Sequence, residues 1–195
     1  MLLSANLSSA SIVYLLRGNV SCLENYQCPK TWYSLYINCG GKSITYDGNK
    51  TYDDDSAEME SARYRQIGTN WALITAGHFF DSGRSDYYIW SNATKLAVDN
   101  GTELYMDARV SPNSLTYYAF CIGNGNYTVN LHFAEIMFSD DKTFSSIGRR
   151  VFDIYIQRNL VLKDFDIAKE AGGVGKAVIK TFTAGVTRNA LEIRL

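Results

Sequence analysis

The sequence has little proline, few histidines and no long apolar run, and each shortage excludes a class of protein. Its 195 residues include two prolines and two histidines, His78 and His132. The longest apolar runs, such as residues 11–16 and 71–76, are far too short to cross a bilayer. The net charge is −1, so no basic field attracts nucleic acid or an anionic membrane. We expect no nucleic-acid partner and no direct membrane insertion.

Motifs for catalysis, cofactors and metals are also missing. No C-x-x-C occurs, which removes a zinc ribbon and a thioredoxin-like site, and no G-x-S-x-G or zincin histidine pair is present. Gly175-Lys176 resembles the end of a P-loop, but Glu170 stands in place of the first glycine and Ala177 in place of Ser/Thr. We therefore predict no enzyme activity, no cofactor, no metal and structural roles for both histidines.

One acidic stretch needs a separate interpretation. Asp53-Asp54-Asp55, with Glu58 and Glu60, lacks the ligand spacing of an EF-hand loop. Glycosidase chemistry requires two carboxylates that face one another across a sugar, and adjacency in sequence does not establish that. We interpret the stretch as solvated, within a polar region at 42–70 that we predict to be a long loop. A glycosidase ranks third among the functions considered.

N-glycosylation motifs are more frequent than chance predicts. Fourteen Asn and thirty Ser plus Thr residues give roughly two expected N-x-S/T motifs, and the sequence has six. They begin at Asn6, Asn19, Asn49, Asn92, Asn100 and Asn126. This excess predicts a glycoprotein of the secretory pathway, extracellular or at the cell surface.

Four cysteines agree with an oxidising compartment. An even count beside many glycosylation motifs favours disulfides over reduced, buried thiols. Of the three possible connectivities, we favour Cys22–Cys28, which closes a local loop, together with Cys39–Cys121, which ties an early strand to a central one.

Short strands separated by turn signals dominate the chain after residue 31. Val129, Leu131 and Phe133 alternate with Asn130 and His132, which predicts a strand with one buried face. The predicted strands are 32–38, 87–90, 103–110, 115–122, 127–138, 150–157, 160–165, 176–182 and 190–195. With so few prolines and no helical periodicity, this pattern predicts an all-β fold, a β-sandwich or jelly roll.

The boundaries follow from the same pattern. We predict that residues 1–31 are a leader or linker with a small cysteine loop and that residues 32–195 form the domain. Gly123–Asn126 is the sharpest hairpin signal, because Asn and Gly tolerate positive φ. The last strand runs to the terminus without a closing segment, so we expect the domain to be truncated there.

Four segments in register resemble the malectin domain. They are Ile37–Gly41 (INCGG), Leu131–Glu135 (LHFAE), Val151–Ile156 (VFDIYI) and Lys163–Ile167 (KDFDI). The finer pattern, including Ser114–Tyr118, is similar to malectin domains of plant leucine-rich-repeat receptor-like serine/threonine kinases. The resemblance implies a β-sandwich ectodomain whose full-length parent carries a membrane span and a kinase, neither of which has a motif in this sequence.

The resemblance also implies a ligand and its contacts. Animal malectin binds glucosylated N-glycans through loop aromatics and an aspartate. The aromatic roles carry over to Tyr52, Tyr117 and Tyr118, and also to Tyr88, which suits an aromatic-rich chain with fourteen tyrosines. The aspartate position falls near Lys169-Glu170, where no aspartate stands, so the glucose-type ligand does not carry over.

The function predicted from the sequence is a non-catalytic extracellular module that binds an oligosaccharide or glycan. The alternative is a protein-interaction module that pairs receptor ectodomains or captures a peptide. The alternative predicts an exposed apolar patch free of glycosylation motifs.

Overall fold

An alternation of buried and outward positions marks two strands that line the core. The computed structural model describes residues 2–9, 28–46, 48–59, 64–77, 88–91, 93–94, 96–98, 101–138 and 148–195, with the backbone alone for 2–9. In the strand Gly125–Ala134, every second side chain from Tyr127 to Phe133 is buried. In Ala190–Arg194, Leu191 and Ile193 are buried in the same way. Both alternations confirm the predictions from sequence.

The chain is all-β, with helical structure confined to two short segments of the described residues. The strands are β1 (Leu2–Ser9), β2 (Ser34–Asn38), β3 (Ile44–Tyr46), β4 (Lys50–Asp54), β5 (Tyr64–Gln66), β6 (Trp71–Ala76), β7 (Ile89–Trp90), β8 (Ala108–Arg109), β9 (Ser114–Phe120), β10 (Gly125–Ala134), β11 (Val151–Ile156), β12 (Asn159–Asp166), β13 (Ala177–Val186) and β14 (Ala190–Arg194). A 3₁₀ helix spans Thr102–Tyr105 and α1 spans Ile167–Ala171.

Two six-stranded sheets form a β-sandwich. Sheet I has the order β13-β10-β1-β2-β4-β3 and sheet II the order β12-β11-β14-β9-β6-β5, while β7 and β8 form a separate ribbon. Neighbouring strands pair antiparallel, except that β2 and β4 are parallel. The predicted sandwich class is therefore confirmed.

The core between the sheets is rich in aromatic rings. Phe133 of sheet I meets Phe152 and Phe165 of sheet II at centroid distances of 5.9 and 5.0 Å. Near the other side of the sandwich, Trp71 lies 6.2 Å from Tyr117 and donates its indole hydrogen to Asp53 of β4 at 3.0 Å. Burial of large rings supplies the main stabilisation that holds the two sheets together.

A second hydrophobic cluster covers the outer surface of sheet I. This outer cluster consists of Tyr36, Ile44, Tyr46, Tyr52, Leu96, Val98, Leu104, Tyr105, Ala134 and Ala177. The 3₁₀ helix carries Leu104 and Tyr105 onto the sheet, where the Tyr105 hydroxyl lies 3.0 Å from His132 Nδ1. Burial lowers the pKa of His132 to about 4, so the imidazole is neutral at pH 7.

The first strand corrects the predicted leader. Leu2–Ser9 lies in the middle of sheet I and pairs with β10 on one side and β2 on the other. The first residues of the segment 1–31 therefore belong to the sheet, because their backbone groups satisfy both neighbours. Residues 10–27 lie outside the described part, and the domain boundary at residue 32 stays a prediction.

Three other local predictions are wrong. The turn Gly123–Asn126 does not close a hairpin, because it carries the chain from β9 in sheet II to β10 in sheet I. The region 42–70 contains β3, β4 and β5 rather than one long loop. The predicted strand 103–110 is mostly the 3₁₀ helix and the short β8.

The disulfide connectivity differs from the favoured one. Cys28 pairs with Cys121, across 93 positions of sequence, and Cys39 is a free thiol buried in the core. Burial raises the pKa of the Cys39 thiol to about 12, so it is unreactive at neutral pH. The predicted Cys22–Cys28 and Cys39–Cys121 pairs are thus wrong, and Cys22 itself lies outside the described residues. Sequence proximity misled here, because the segment before β2 runs alongside the end of β9.

Candidate functional site

A cavity of about 390 Å³ opens at one end of the sandwich. It lies where β9 and β11 begin and β10 ends, so its walls come from both sheets. The lining residues used below are Ser111, Asn113, Phe138, Arg149, Arg150 and Phe152. Its volume falls in the range of small-molecule sites, which are concave and mix apolar walls with a few polar groups.

Two adjacent arginines form the charged wall. Arg149 Nε donates to Asp166 at 2.6 Å, with the arginine side chain 68% exposed. Arg150 Nε lies 3.8 Å from the Glu135 carboxylate. Because each guanidinium carries five N–H groups, these ion pairs leave further donors that can reach a ligand. A hydrogen bond from the backbone of Lys169, followed by the Arg149 contact, holds the pKa of Asp166 below its usual range.

Aromatic rings supply the apolar wall. The guanidinium of Arg150 lies 5.6 Å from the ring centroid of Phe138, and Phe152 packs on Phe133 behind the opposite wall. Glu135 positions this wall because its Oε1 accepts hydrogen bonds from the backbone nitrogens of Met137 and Phe138 at 3.0 and 3.3 Å. The carboxylate thus fixes both the arginine and the residues that carry the ring.

A buried ion pair supports the wall formed by β8. Arg109 and Asp55 have fully buried side chains, and Arg109 Nη2 donates to Asp55 Oδ1 at 2.7 Å. Asp55 Oδ2 also accepts from the backbone of Gly40 at 3.0 Å and from the Tyr117 hydroxyl at 2.7 Å. Burial raises the pKa of Asp55, although these hydrogen bonds oppose the rise. The predicted solvated loop is therefore wrong at Asp55, whose carboxylate joins three elements inside the core.

The structure does not bring the four predicted tyrosines together. Tyr52, Tyr88 and Tyr117 are at most 4% exposed, and none of the four lines the cavity. Tyr52 belongs to the outer cluster, Tyr88 donates to Gly77 O at 3.3 Å, and Tyr117 points into the core toward Asp55. Rings buried in this way offer no face to a sugar. Tyr118 alone is partly exposed, since β9 turns alternate side chains to opposite faces.

The cavity is lined by residues that were not among the predicted ligand contacts. Phe138 and Arg150 stood at the ends of the predicted strands 127–138 and 150–157, whereas in the structure β10 ends at Ala134 and β11 begins at Val151. The adjacent pair Arg149-Arg150, at the start of a predicted strand, is the signal that could have identified this wall. At the predicted aspartate position, Glu170 pairs with Lys180 at 2.6 Å and does not line the cavity.

Two predicted glycosylation sites lie at exposed positions. Asn49 stands in the turn between β3 and β4, and Asn126 lies at the start of β10. Asn6 falls in β1, of which only the backbone is described. Asn19, Asn92 and Asn100 lie outside the described residues.

Known proteins resemble this chain in sequence over nearly its whole length. Residues 33–195 match the family described as "Malectin domain". From Arabidopsis thaliana, the "Probable leucine-rich repeat receptor-like serine/threonine-protein kinase At3g14840" is 48% identical over 193 residues, 96% of this chain and 19% of the relative. The "Probable LRR receptor-like serine/threonine-protein kinase At1g53420" is 49% identical over 179 residues. The chain therefore spans about a fifth of such relatives.

Solved ectodomains resemble the chain in fold. The plant receptor-like kinase ANX1 superposes with a TM-score of 0.56 at 22% identity, over 83% of this chain and 43% of that one. The extracellular domain of ANXUR2 from Arabidopsis thaliana gives a TM-score of 0.50 at 22% identity. Among the described residues, no helix is both long and apolar enough to cross a membrane.

Proposed function

The chain belongs to the malectin domain family, and from that premise we propose that it is an extracellular carbohydrate-binding module whose ligand occupies the cavity at the end of the sandwich. The observation that carries the proposal is the cavity wall itself, where the Phe138 ring and the Arg149 and Arg150 guanidinium groups face one space. We place the module at the cell surface, in keeping with receptor-kinase relatives of which it matches about a fifth.

The chemistry of a sugar fits this wall. A pyranose ring has an apolar face that can stack on an aromatic ring, and hydroxyls at its rim that accept hydrogen bonds. Phe138 supplies the ring, while Arg150 beside it supplies donors held in place by Glu135. Ser111 and Asn113 add short polar groups to the lining. Binding should be weak for one sugar, because each contact replaces a hydrogen bond to water.

We propose a signalling role only for a longer receptor that would contain this module. The relatives named above are kinases, and the matched part is a non-kinase module. We propose that a parent receptor would use this module for extracellular recognition and a separate domain for phosphorylation. The chain itself has no catalytic role in this proposal.

An oligosaccharide array tests the proposal. Glycosylated, disulfide-bonded chain from a secretory host is applied beside Phe138→Ala and Arg150→Gln. We expect binding by the wild type and at least a tenfold loss in both variants, since the first removes the stacking ring and the second removes the guanidinium donors. Thermal melting shows whether each variant is folded.

Two control variants show whether a loss of binding is specific to the cavity. Tyr64→Ala removes a 43% exposed ring from sheet II and should bind as the wild type does. Tyr118→Ala tests the residue that sequence reasoning proposed, and the cavity account expects near-normal binding. An array without signal from folded protein, or binding lost only in Tyr118→Ala, would contradict the cavity site.

A further inference from the structure

The glycosylation motifs are distributed unequally over the sandwich. Asn6, Asn49 and Asn126 fall in β1, the β3–β4 turn and β10, all of which belong to sheet I. The other three motifs begin at residues outside the described part of the chain. By contrast, no motif begins in any strand of sheet II. Glycans at the three described motifs would all lie on sheet I, and none of these three would cover the outer surface of sheet II.

A row of side chains crosses five strands on the outer surface of sheet II, with Thr116 at its centre only 6% exposed. The register places Tyr155 opposite Arg194, Arg194 opposite Thr116, Thr116 opposite Ile74 and Ile74 opposite Tyr64. With strands about 4.8 Å apart, the row is roughly 20 Å long. Tyr64 is 43% exposed and Arg194 is exposed, while Tyr118 stands beside the row.

The segment that precedes β2 extends this surface at one end. Trp32 packs on Ala72 and Phe120 from outside sheet II, and its backbone is bonded to Cys121 and Gly123. The disulfide between Cys28 and Cys121 fixes the segment there. We call the whole surface the open face, defined by Lys30, Trp32, Tyr64, Ile74, Tyr118, Tyr155 and Arg194.

The open face presents two cations, each stacked on an aromatic ring. Lys30 Nζ lies 3.5 Å from the Trp32 ring centroid, and the Arg194 guanidinium lies 4.3 Å from that of Tyr155. Neither forms an ion pair with any residue in the described part of the chain. Two described carboxylates on β14 and β11 are engaged by other groups. Glu192 lies 3.8 Å from Arg158, and Asp153 accepts from the Tyr155 hydroxyl and the Asp164 backbone.

We propose that the open face docks an acidic protein surface, which places carboxylates against Lys30 and Arg194 and apolar groups against Tyr64, Ile74 and Tyr118. Tyrosine, tryptophan and arginine are the residues enriched at the centres of protein interfaces. Two cations without a carboxylate partner among the described residues give the charge complementarity that selects an acidic partner. This inference goes beyond the carbohydrate proposal and uses a different surface.

The shape of the open face favours a protein over a sugar. Sugar sites are concave, and the cavity described above lies at the end of the sandwich rather than on this face. The row across β5, β6, β9, β14 and β11 is instead the surface of a sheet, and broad surfaces of that kind suit protein partners. An acidic polysaccharide is therefore an outcome that the test must distinguish.

The test uses a phage-displayed library of random dodecapeptides, selected on the glycosylated chain. We expect recovered peptides to be enriched in Asp and Glu and to bind the wild type. The variant Lys30→Glu/Arg194→Glu should weaken binding at least tenfold, because both complementary charges are reversed. The matched control, Lys42→Glu/Lys176→Glu, changes net charge equally at exposed positions flanking strands of sheet I and should leave binding unchanged.

A second variant blocks the face without altering its cations. Tyr64→Asn/Gln66→Thr introduces a glycosylation motif in β5, and the added glycan should abolish peptide binding while the oligosaccharide array pattern stays unchanged. No recovered peptide, no acidic enrichment, or equal binding to the charge-reversal variant would overturn the proposal. Binding of polygalacturonate that competes fully with the peptides at physiological salt would also overturn it, in favour of an acidic polysaccharide.

Discussion

The two outer surfaces of the sandwich both carry tyrosines, but these are buried on sheet I and partly exposed on sheet II. On sheet I, Leu96, Val98 and Leu104 pack over the strands, and Tyr52 and Tyr105 are buried in the outer cluster. On sheet II, Tyr64 and Tyr118 keep part of their surface in solvent. The difference shows that alternation in a strand decides which side chains point outward, while a connection elsewhere in the chain decides whether they form a core or a surface.

The largest effect should come from the disulfide at the edge of the open face. Cys28→Ser/Cys121→Ser opens a loop of 93 positions, so the unfolded chain gains entropy and the free energy of unfolding should fall by about 4 kcal/mol. Denaturant titration measures this loss. Cys39→Ala, which removes a buried thiol without breaking a cross-link, should cost about 1 kcal/mol. Equal losses in the two variants would show that the cross-link is not what stabilises the chain.

Truncation of one tyrosine on each outer surface tests the comparison itself. Tyr105→Ala removes an 8% exposed ring from the outer cluster and should cost about 3 kcal/mol through the cavity that it leaves. Tyr64→Ala on the open face should cost less than about 0.5 kcal/mol, as surface substitutions do. Urea unfolding compares them directly, and similar losses would mean that the open face is a packed surface.

A pH dependence should distinguish the covered surface. The pKa of His132 is lowered from 6.5 to about 4. Between these two pH values the imidazole is protonated in the unfolded state and neutral in the folded state. The contribution of neutral His132 to the free energy of unfolding is therefore complete above about pH 6.5 and is lost as the pH falls toward 4. Between pH 7 and pH 5 the loss should be about 2 kcal/mol. His132→Gln should remove that part of the dependence, and an unchanged slope in the variant would assign it to other groups.

The smallest effect separates two neighbours on β9. Tyr117→Phe removes the hydroxyl that donates to Asp55 at 2.7 Å, and the buried carboxylate loses one partner at a cost of about 1.5 kcal/mol. Tyr118→Phe, on the opposite side of the strand, should cost less than a third of that. Chemical denaturation of both variants in one buffer checks the ratio. A larger loss at Tyr118 would reverse the assignment of inner and outer positions.

Local patterns in the sequence predicted local structure correctly. The alternation around Leu131 and Leu191 was enough to place two strands and their buried faces, because burial on one side of a sheet imposes a period of two. The turn at Gly123–Asn126 was also recognised as a turn. Its strands nevertheless belong to different sheets, since a turn signal does not specify which strands pair.

Features that depend on distant partners were not predictable. Strand β4 was not predicted, because its sequence is rich in acidic residues. Asp53 of β4 and Asp55 directly after it face inward because their carboxylates bind Trp71 and Arg109. The cysteine pairing failed for the same reason. The helix α1 was missed although Asp166 caps its start and Gly172 ends it with positive φ, because five residues are too few to show a helical period. The cavity residues come from several elements that only the fold brings together.

Hydrogen–deuterium exchange tests the central claim, that the sugar binds at the sandwich end and leaves the open face free. The glycosylated chain is measured with and without the oligosaccharide that gives the strongest array signal. The account predicts protection in peptides covering 110–115, 133–138 and 149–152, and none in 64–66 or 190–194. Protection confined to the peptides of the open face, with the cavity peptides unchanged, would contradict it.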